Sequence, residues 1–481
     1  MTDTQRADML GVSSGGTMVT PHLDRLAGEG IRFNRAYTCC PVCGPARSAL
    51  FTGLYPHENG TCANCMPLHE GIRTIGERLA EGGIRAAYIG KWHLDGSDYF
   101  GNGICPPGWD ENEWYDMRRF LEELPEDIRP LTRRIDFIHH PKFLPDYTFG
   151  HCCASRAVRY IESHASEDYF LTVSFDEPHH PCPCEPEDMR HYASHRWMPG
   201  PNAVDTLADK PTHHRVWAEN HKLEGHEKGL SLPEFFGSNT FVDRQIGRVL
   251  EAIDRHAPDA LVIYTSDHGD MLGSHRLMGK GPAAYEEVTR TPFIIRRPDR
   301  AGADSVSDAL VSHIDVTPTI LSAFGITPPP FMTGKNLLDD ATPDRFAFFE
   351  FHRFETDHDG FGGIQPYRAV TDGRFKLCVN LLTSDEFYDL CEDPHECVNR
   401  INDTGLACER DRLHDALLAW MNDGRDPFRG YYWSCRPWRT DVPSPSWSDR
   451  GYTRQRIAEP PEPPQLDYET GLSFEQPVRR K

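Results

Sequence analysis

The sequence lacks a long apolar run, an apolar leader and an excess of positive charge. No stretch of about 18 apolar residues occurs, so we predict no membrane-spanning helix and no membrane partner. The chain does not open with a basic and then apolar leader, so we expect a cytoplasmic protein unless the chain begins further upstream. With 51 Lys and Arg against 73 Asp and Glu, and a net charge of -22, the chain should repel phosphate backbones, which argues against nucleic-acid binding.

The sequence also lacks a second well-spaced Cys-x-x-Cys pair. It has 15 cysteines, an odd number, and in a long chain without a leader these are expected to be reduced thiols. The alternative is a structural zinc site, for which Cys62-x-x-Cys65 is the best element. Its other ligands would be Cys39 and Cys40.

The alternation of short apolar runs with helical stretches predicts an α/β fold. A chain of 481 residues exceeds one minimal core and favours a large α/β domain with a smaller attachment. The periodicity predicts helices over 22–28, 75–81, 154–164 and 241–253, and strands over 31–37, 84–89, 169–175 and 260–265. We therefore expect a large mixed, mostly parallel sheet flanked by helices on both faces.

The pattern changes near residue 366. Short runs over 368–371, 375–379 and 387–390 predict antiparallel strands, and residues 413–420 predict an amphipathic helix. We therefore assign residues 1–365 to the α/β domain and 366–430 to a C-terminal α+β subdomain. Residues 431–481 form a tail rich in proline and aromatic residues, part of which we expect to pack on the body. Residues 101–150 and 185–235 are predicted to be long excursions that carry substrate selectivity.

Cys43-Gly44-Pro45-Ala46-Arg47 is the clearest chemical constellation. Proline suits the first turn of a helix, so Cys43 is predicted to lie just ahead of a helix N-terminus, where free amides favour negative charge. Arg47 follows one turn later and can reach back to the same point. Taken alone, such a cysteine is more often an ordinary buried thiol.

Other polar residues follow directly after predicted strands. Asp267 and His268 follow strand 260–265, Lys91 and His93 follow strand 84–89, and His179 follows strand 169–175. The carboxyl ends of parallel strands are where α/β sheets bind ligands, and an Asp beside a His can bind a divalent ion. In isolation the aspartate could cap a helix and Lys91 and His93 could be surface residues.

These motifs in this order resemble the sulfatase family, within the alkaline-phosphatase-like superfamily. The resemblance covers about residues 1 to 425. Its motifs are Thr2-Asp3, the Cys43 motif with Leu54-Tyr55-Pro56-His57, Gly90-Lys91-Trp92-His93, Pro178-His179-His180-Pro181, Ser266-Asp267-His268-Gly269-Asp270, Tyr388-Asp389-Leu390 and Asp393-Pro394.

The resemblance implies a sulfuric ester hydrolase that cleaves the sulfate ester of a small molecule or a carbohydrate. It implies that a formylglycine-generating enzyme oxidises Cys43 to formylglycine. It also implies one divalent metal ion bound by Asp3, residue 43, Asp267 and His268. Calcium is the first expectation for this ion, with magnesium and manganese as alternatives.

The resemblance further implies a role for each remaining residue. Lys91 and Lys280 would bind the sulfate, and Lys280 is the loosest match of the set. His93 would hydrogen-bond the formylglycine hydroxyls, and His179 would give a proton to the leaving alcohol, with His180 as the neighbouring alternative. Arg47 would help stabilise the alkoxide. His57 and His313 are expected beside the site, outside the catalytic set.

Two features depart from the family pattern. Relatives have an apolar strand directly before the metal-binding aspartate, whereas only Met1 and Thr2 precede Asp3 here, so we expect an incomplete sheet core or a misassigned start. Many relatives have an Asp-Asp pair where this chain has Asp3-Thr4-Gln5. The alternative functions are therefore a phosphonate monoester or phosphodiester hydrolase on the same scaffold, and a catalytically silent binding protein.

Overall fold

A computed structural model describes residues 1–96, 99–221, 229–339, 345–355, 364–442 and 471. The helices are α1 Pro21–Gly28, α2 Cys43–Thr52, α3 Pro56–Asn59, α4 Ile75–Glu81, α5 Met117–Glu123, α6 Phe149–Ser163, α7 Pro186–His191, α8 Thr212–His221, α9 Pro233–His256, α10 Glu286–Thr289, α11 Val316–Ala323, α12 Ala407–Asp423 and α13 Tyr431–Ser434. The strands are β1 Ile31–Tyr37, β2 Arg85–Gly90, β3 Tyr169–Ser174, β4 Val262–Thr265, β5 Phe293–Arg296, β6 Ser305–Ser312, β7 Ala347–Phe351, β8 Tyr367–Thr371, β9 Phe375–Asn380 and β10 Glu386–Asp389.

The strands of the first 320 residues form the expected mixed sheet. In one part the order is β4-β5-β1-β6, with β1 and β6 parallel and β5 antiparallel to both of its neighbours. In the other part β2 and β3 are parallel, with Arg85 opposite Tyr169. The predicted strands and helices of this region are confirmed, most with shifts of a few residues at their ends.

Residues 1–3 join the two parts of the sheet. The Met1 amino group donates to Val173 O at 2.7 Å, and Thr2 N donates to Thr265 O at 3.1 Å. This segment therefore lies between the carboxyl ends of β3 and β4, where a central strand would end. Burial, and then Arg47, lower the pKa of the Met1 amino group to about 5.

Behind Met1, β3 and β4 do not pair with each other. They enclose a cavity of about 690 Å³ lined by residues of both strands and by side chains of the helices on both faces, among them Leu26, Leu50, Phe51 and Leu250. The cavity therefore lies between the two parts of the sheet, directly behind Met1.

The helices cover both faces of the sheet because its strands are apolar on both sides. In β5, Ile294 packs into the layer formed by α1, α6 and α9. Its neighbours Phe293 and Ile295 pack into the opposite layer, formed by α2, α4 and α11. This alternation follows from the two-residue period of a strand, and it leaves the carboxyl ends of the parallel strands free to carry polar groups.

The C-terminal region forms a separate antiparallel sheet in the order β10-β9-β8-β7, and α12 packs on it. Strand β7 belongs to this sheet, although it precedes residue 366. In the tail, Trp433 is buried against this sheet and Arg436 donates to Asp385, which confirms that part of the tail packs on the body. Trp447 lies outside the described residues. Within the described chain we find no helix that is both long and apolar enough to span a membrane.

Candidate active site

Cys43 begins helix α2, and every residue of this helix is buried. The Cys43 Sγ atom lies 2.8 Å from Lys280 Nζ, 3.2 Å from His268 Nε2 and 3.9 Å from Asp3 Oδ1. Burial and Asp3 alone would raise the pKa of the thiol, but Lys280, Lys91 and His268 outweigh them and hold it well below its usual value. The position at the helix N-terminus therefore favours an atom that carries negative charge.

Arg47 ties this helix to the strand ends. Its guanidinium is fully buried and donates to Asp267 Oδ2 and Asp3 Oδ2, each at 3.0 Å. It also donates to Lys91 O at 2.6 Å and Ser174 Oγ at 2.8 Å. Because one planar cation contacts the ends of four separate segments, it sets the distance between the two carboxylates.

The remaining carboxylate oxygens face a shared space. His268 Nε2 lies 3.8 Å from Asp3 Oδ1 and 3.6 Å from Asp267 Oδ1. Together with residue 43, these groups each offer one ligand atom, all within 4.8 Å of one another. His268 Nδ1 donates to Gly269 O at 2.7 Å, so Nε2 is the ring nitrogen that faces a ligand. The donor set of two carboxylates, one imidazole and residue 43 thus fits a divalent cation.

The two aspartates differ in their electrostatic surroundings. Burial would raise the pKa of Asp3, but Lys91, His179, Lys280 and Arg47 hold it well below its usual value. Burial, and then the charge of Asp3, raise the pKa of Asp267 to about 6. A cation between the two carboxylates would remove this repulsion.

Lys91 lies directly after β2 and is fully buried between two carboxylates. Its Nζ atom lies 2.8 Å from Asp3 Oδ2 and 3.0 Å from Asp176 Oδ1. Although burial opposes it, Asp176 and Asp3 raise its pKa well above the usual value, so Lys91 is a permanent cation. Asp176 was missed by the sequence reasoning, yet it follows β3 by two residues and obeys the strand-end rule that found Lys91.

His93 and His179 meet around Tyr99, which the sequence reasoning also missed. The Tyr99 ring lies 5.5 Å from the His93 ring and 5.2 Å from the His179 ring. His93 has a left-handed φ of 59°. A bend after Lys91, rather than strand alternation, brings His93 to this cluster. Tyr99 lies between β2 and α5, just before the predicted excursion over 101–150, and neither spacing nor periodicity marks it.

The structure places the other candidates as follows. Lys280, the loosest match in sequence, makes the shortest contact to Cys43. His313 is buried, and its Nε2 atom lies 3.5 Å from Thr291 Oγ1. His57 Nδ1 lies 2.6 Å from Oε2 of Glu350 in β7. Both histidines therefore lie outside the Cys43 cluster. All cysteines are free thiols, as expected. Among the described residues, the predicted zinc ligands do not form a group with ligand atoms in reach of one another.

Comparison with known proteins identifies two family models. The sulfatase model matches residues 1–326. The model for the C-terminal region of N-sulphoglucosamine sulphohydrolase matches residues 273–423. The two matches together span the mixed sheet, the strand-end cluster and the C-terminal sheet.

Individual known proteins are similar to this chain over most of its length. The uncharacterized sulfatase YidJ of Escherichia coli is 44% identical over 480 residues, covering 98% of this chain and 95% of YidJ. The N-acetylglucosamine-6-O-sulfatase of Bacteroides thetaiotaomicron is 26% identical, covering 89% of this chain and 86% of that protein. The phosphonate monoester hydrolase of Agrobacterium radiobacter has the same fold, with a TM-score of 0.71 at 22% identity over 88% of this chain and 94% of that one.

Proposed function

This chain belongs to the sulfatase family of hydrolases, and from that premise we propose that it hydrolyses a sulfate ester with a formylglycine derived from Cys43 and one divalent metal ion. The observation that carries the proposal is the position of Cys43 at a helix N-terminus, with Lys280 Nζ 2.8 Å and His268 Nε2 3.2 Å from its Sγ atom. A buried pocket of this composition suits an anionic tetrahedral group.

Asp3, Asp267, His268 and residue 43 would hold the metal, for which calcium is the first candidate and magnesium or manganese the alternatives. When bound, the ion would supply Lewis-acid stabilisation of negative charge on oxygen. Formylglycine, as its hydrate, would supply one hydroxyl to attack sulfur and a second to release sulfate. The formylglycine would be made by a formylglycine-generating enzyme.

The chain's own residues bind, orient and move protons around that group. Arg47 holds both aspartates at a fixed separation through bonds of 3.0 Å, so the ligand atoms are arranged before any ion binds. Lys280 is the cation nearest to residue 43 and is part-exposed at 11%, so it can reach the nonbridging oxygens of a bound ester. Lys91, which is buried behind Asp3, adds positive charge to the same pocket.

His179 is the proposed proton donor to the leaving alcohol. Burial, and then Lys280 and Lys91, lower its pKa to about 4, so the ring is neutral before an anion binds. A bound sulfate ester would offset those cations and favour the protonated ring. We propose a carbohydrate or small-molecule sulfate as substrate, in keeping with the name of the N-acetylglucosamine-6-O-sulfatase that is 26% identical.

The test combines a mass measurement with turnover. The protein is produced with a formylglycine-generating enzyme, and the peptide that contains Cys43 is expected to weigh about 18 Da less than its thiol form. That preparation should hydrolyse 4-nitrophenyl sulfate faster than bis(4-nitrophenyl) phosphate. Cys43→Ser should lose turnover, whereas Cys408→Ser, at an exposed thiol, should keep both the mass change and the activity.

Two outcomes would overturn the proposal. Faster hydrolysis of a phosphodiester or a phosphonate monoester would assign the site to that chemistry on the shared scaffold. A plain thiol at Cys43, in a host that matures other sulfatases, together with no turnover, would make the chain a silent binding protein.

A further inference from the structure

Tyr99 lies at the centre of the groups that face the proposed leaving alcohol. Its hydroxyl is hydrogen-bonded to Asp176 Oδ1 and lies 3.0 Å from His179 Nδ1. The Lys91 Nζ atom lies 3.9 Å from the centre of its ring. A single half-buried side chain therefore contacts a carboxylate, an ammonium and an imidazole of the site.

The charges decide which atom donates in each of these hydrogen bonds. Asp176 is a carboxylate, because the Lys91 ammonium, 3.0 Å from its Oδ1 atom, outweighs the effect of burial and lowers its pKa. It can only accept, so the Tyr99 hydroxyl donates its proton to Asp176. The Tyr99 oxygen is then an acceptor for His179 Nδ1.

A second acceptor meets the same ring nitrogen. His179 Nδ1 lies 2.9 Å from the carbonyl oxygen of His180, which cannot donate. Both partners of Nδ1 are acceptors, so Nδ1 carries the hydrogen of the neutral ring. Nε2 is then the nitrogen available to a substrate.

We propose that Tyr99 and Asp176 are positioning residues that hold His179 with its hydrogen on Nδ1 and direct Nε2 to the leaving-group oxygen. In the reaction, imidazolium Nε2–H would donate its proton to the oxygen as the S–O bond breaks, and the ring would keep the Nδ1 hydrogen. The Tyr99 oxygen, polarised by Asp176, stabilises the imidazolium through that hydrogen. The kinetic part of this inference rests on the proposed sulfate-ester hydrolysis.

The kinetic test uses Tyr99→Phe and a series of aryl sulfates whose phenols differ in pKa. A good leaving group needs little protonation, so kcat for 4-nitrophenyl sulfate should fall only about 2-fold, whereas kcat for phenyl sulfate should fall about 10- to 100-fold. In a His179→Asn background, Tyr99→Phe should cost nothing further. Tyr160→Phe is the matched control, because Tyr160 lies in α6 and its ring stacks on His164, near Arg85 at the other end of β2.

A loss that is equal across the series, or that adds fully to the loss of His179→Asn, would overturn the positioning role. A second readout does not depend on turnover. Nitrogen-15 NMR of the ring should show a protonated Nδ1 and a bare Nε2 in the unliganded protein, and the reverse would overturn the inference. If the wild-type protein turns over no ester, the proposed function fails and the NMR result alone decides this inference.

Discussion

Replacement of Arg47 by methionine tests the central arrangement of the site most directly. Methionine fills similar space but removes the cation that bonds Asp3 Oδ2 and Asp267 Oδ2, each at 3.0 Å and each fully buried. Breaking a buried ion pair leaves an uncompensated charge and costs about 3 to 5 kcal/mol. We expect the free energy of unfolding to fall by about that amount when a chelator is present.

A divalent cation should recover part of this loss. The two carboxylates that Arg47 leaves behind are the proposed metal ligands, so the variant should gain more stability from calcium than the wild type does. An ion at 100 times its Kd adds about 2.7 kcal/mol to folding, and tighter binding adds more. The assay is urea unfolding followed by tryptophan fluorescence, with chelator and with saturating calcium.

Arg296→Met is the matched control. Arg296 is also a buried guanidinium between two carboxylates, with Glu29 and Asp254 each at 2.8 Å, but it lies outside the Cys43 cluster. Arg296→Met should lower the free energy of unfolding by the same amount with and without calcium. A cost below about 1 kcal/mol for Arg47→Met, or an equal calcium increment in both variants, would refute the arrangement described here.

Three further predictions concern Lys280, His57 and Met1. Lys280→Ala removes the cation 2.8 Å from Cys43 Sγ and should lower kcat/KM for an aryl sulfate about 100-fold, with partial recovery in Lys280→Arg; an unchanged kcat/KM would exclude Lys280 from the site. Burial lowers the pKa of His57, but Glu350 outweighs it and raises the pKa, so the ion pair stabilises the fold fully below the usual value of 6.5 and less as pH rises through the raised pKa. The loss in urea midpoint caused by His57→Gln should therefore shrink at alkaline pH, and a loss that does not change with pH would contradict this. Fusing a short apolar segment to Met1 should raise the thermal midpoint, because it replaces a buried amino group with an amide and fills the cavity of about 690 Å³; a Gly-Ser segment of equal length is the control, and equal midpoints would count against the prediction.

Local pattern was sufficient for most of the regular elements. Helix 75–81 and strand 31–37 have the predicted bounds, because the signals that define them are local: a capping residue for the helix and apolar periodicity for both. Helix α6 begins at Phe149 rather than near 154, since its first turn is defined by tertiary packing and by the bond from Gly150 N to Glu177. Strand β7 was assigned to the first domain by position, but it pairs with β8, and strand pairing is not a local property.

The chemical types at the site were also readable, since placement directly after apolar runs identified Asp267, His268, Lys91 and His179 as candidates. What the pattern missed were groups that act by contact alone. Tyr99 has no distinguishing neighbours in sequence. Lys280 was predicted by resemblance alone, and the structure places its ammonium 2.8 Å from Cys43 Sγ.

The sequence by itself determined the family, the mixed α/β class and the set of ionisable groups, because these follow from residue type and spacing along one chain. The tertiary structure alone decided which of those groups meet. Arg47 bonds two aspartates that lie 264 positions apart (Asp3 to Asp267), and Asp176 accepts from both Lys91 and Tyr99. Such contacts depend on how the strands order themselves in the sheet, and that order is settled by packing across the whole core rather than by any local segment.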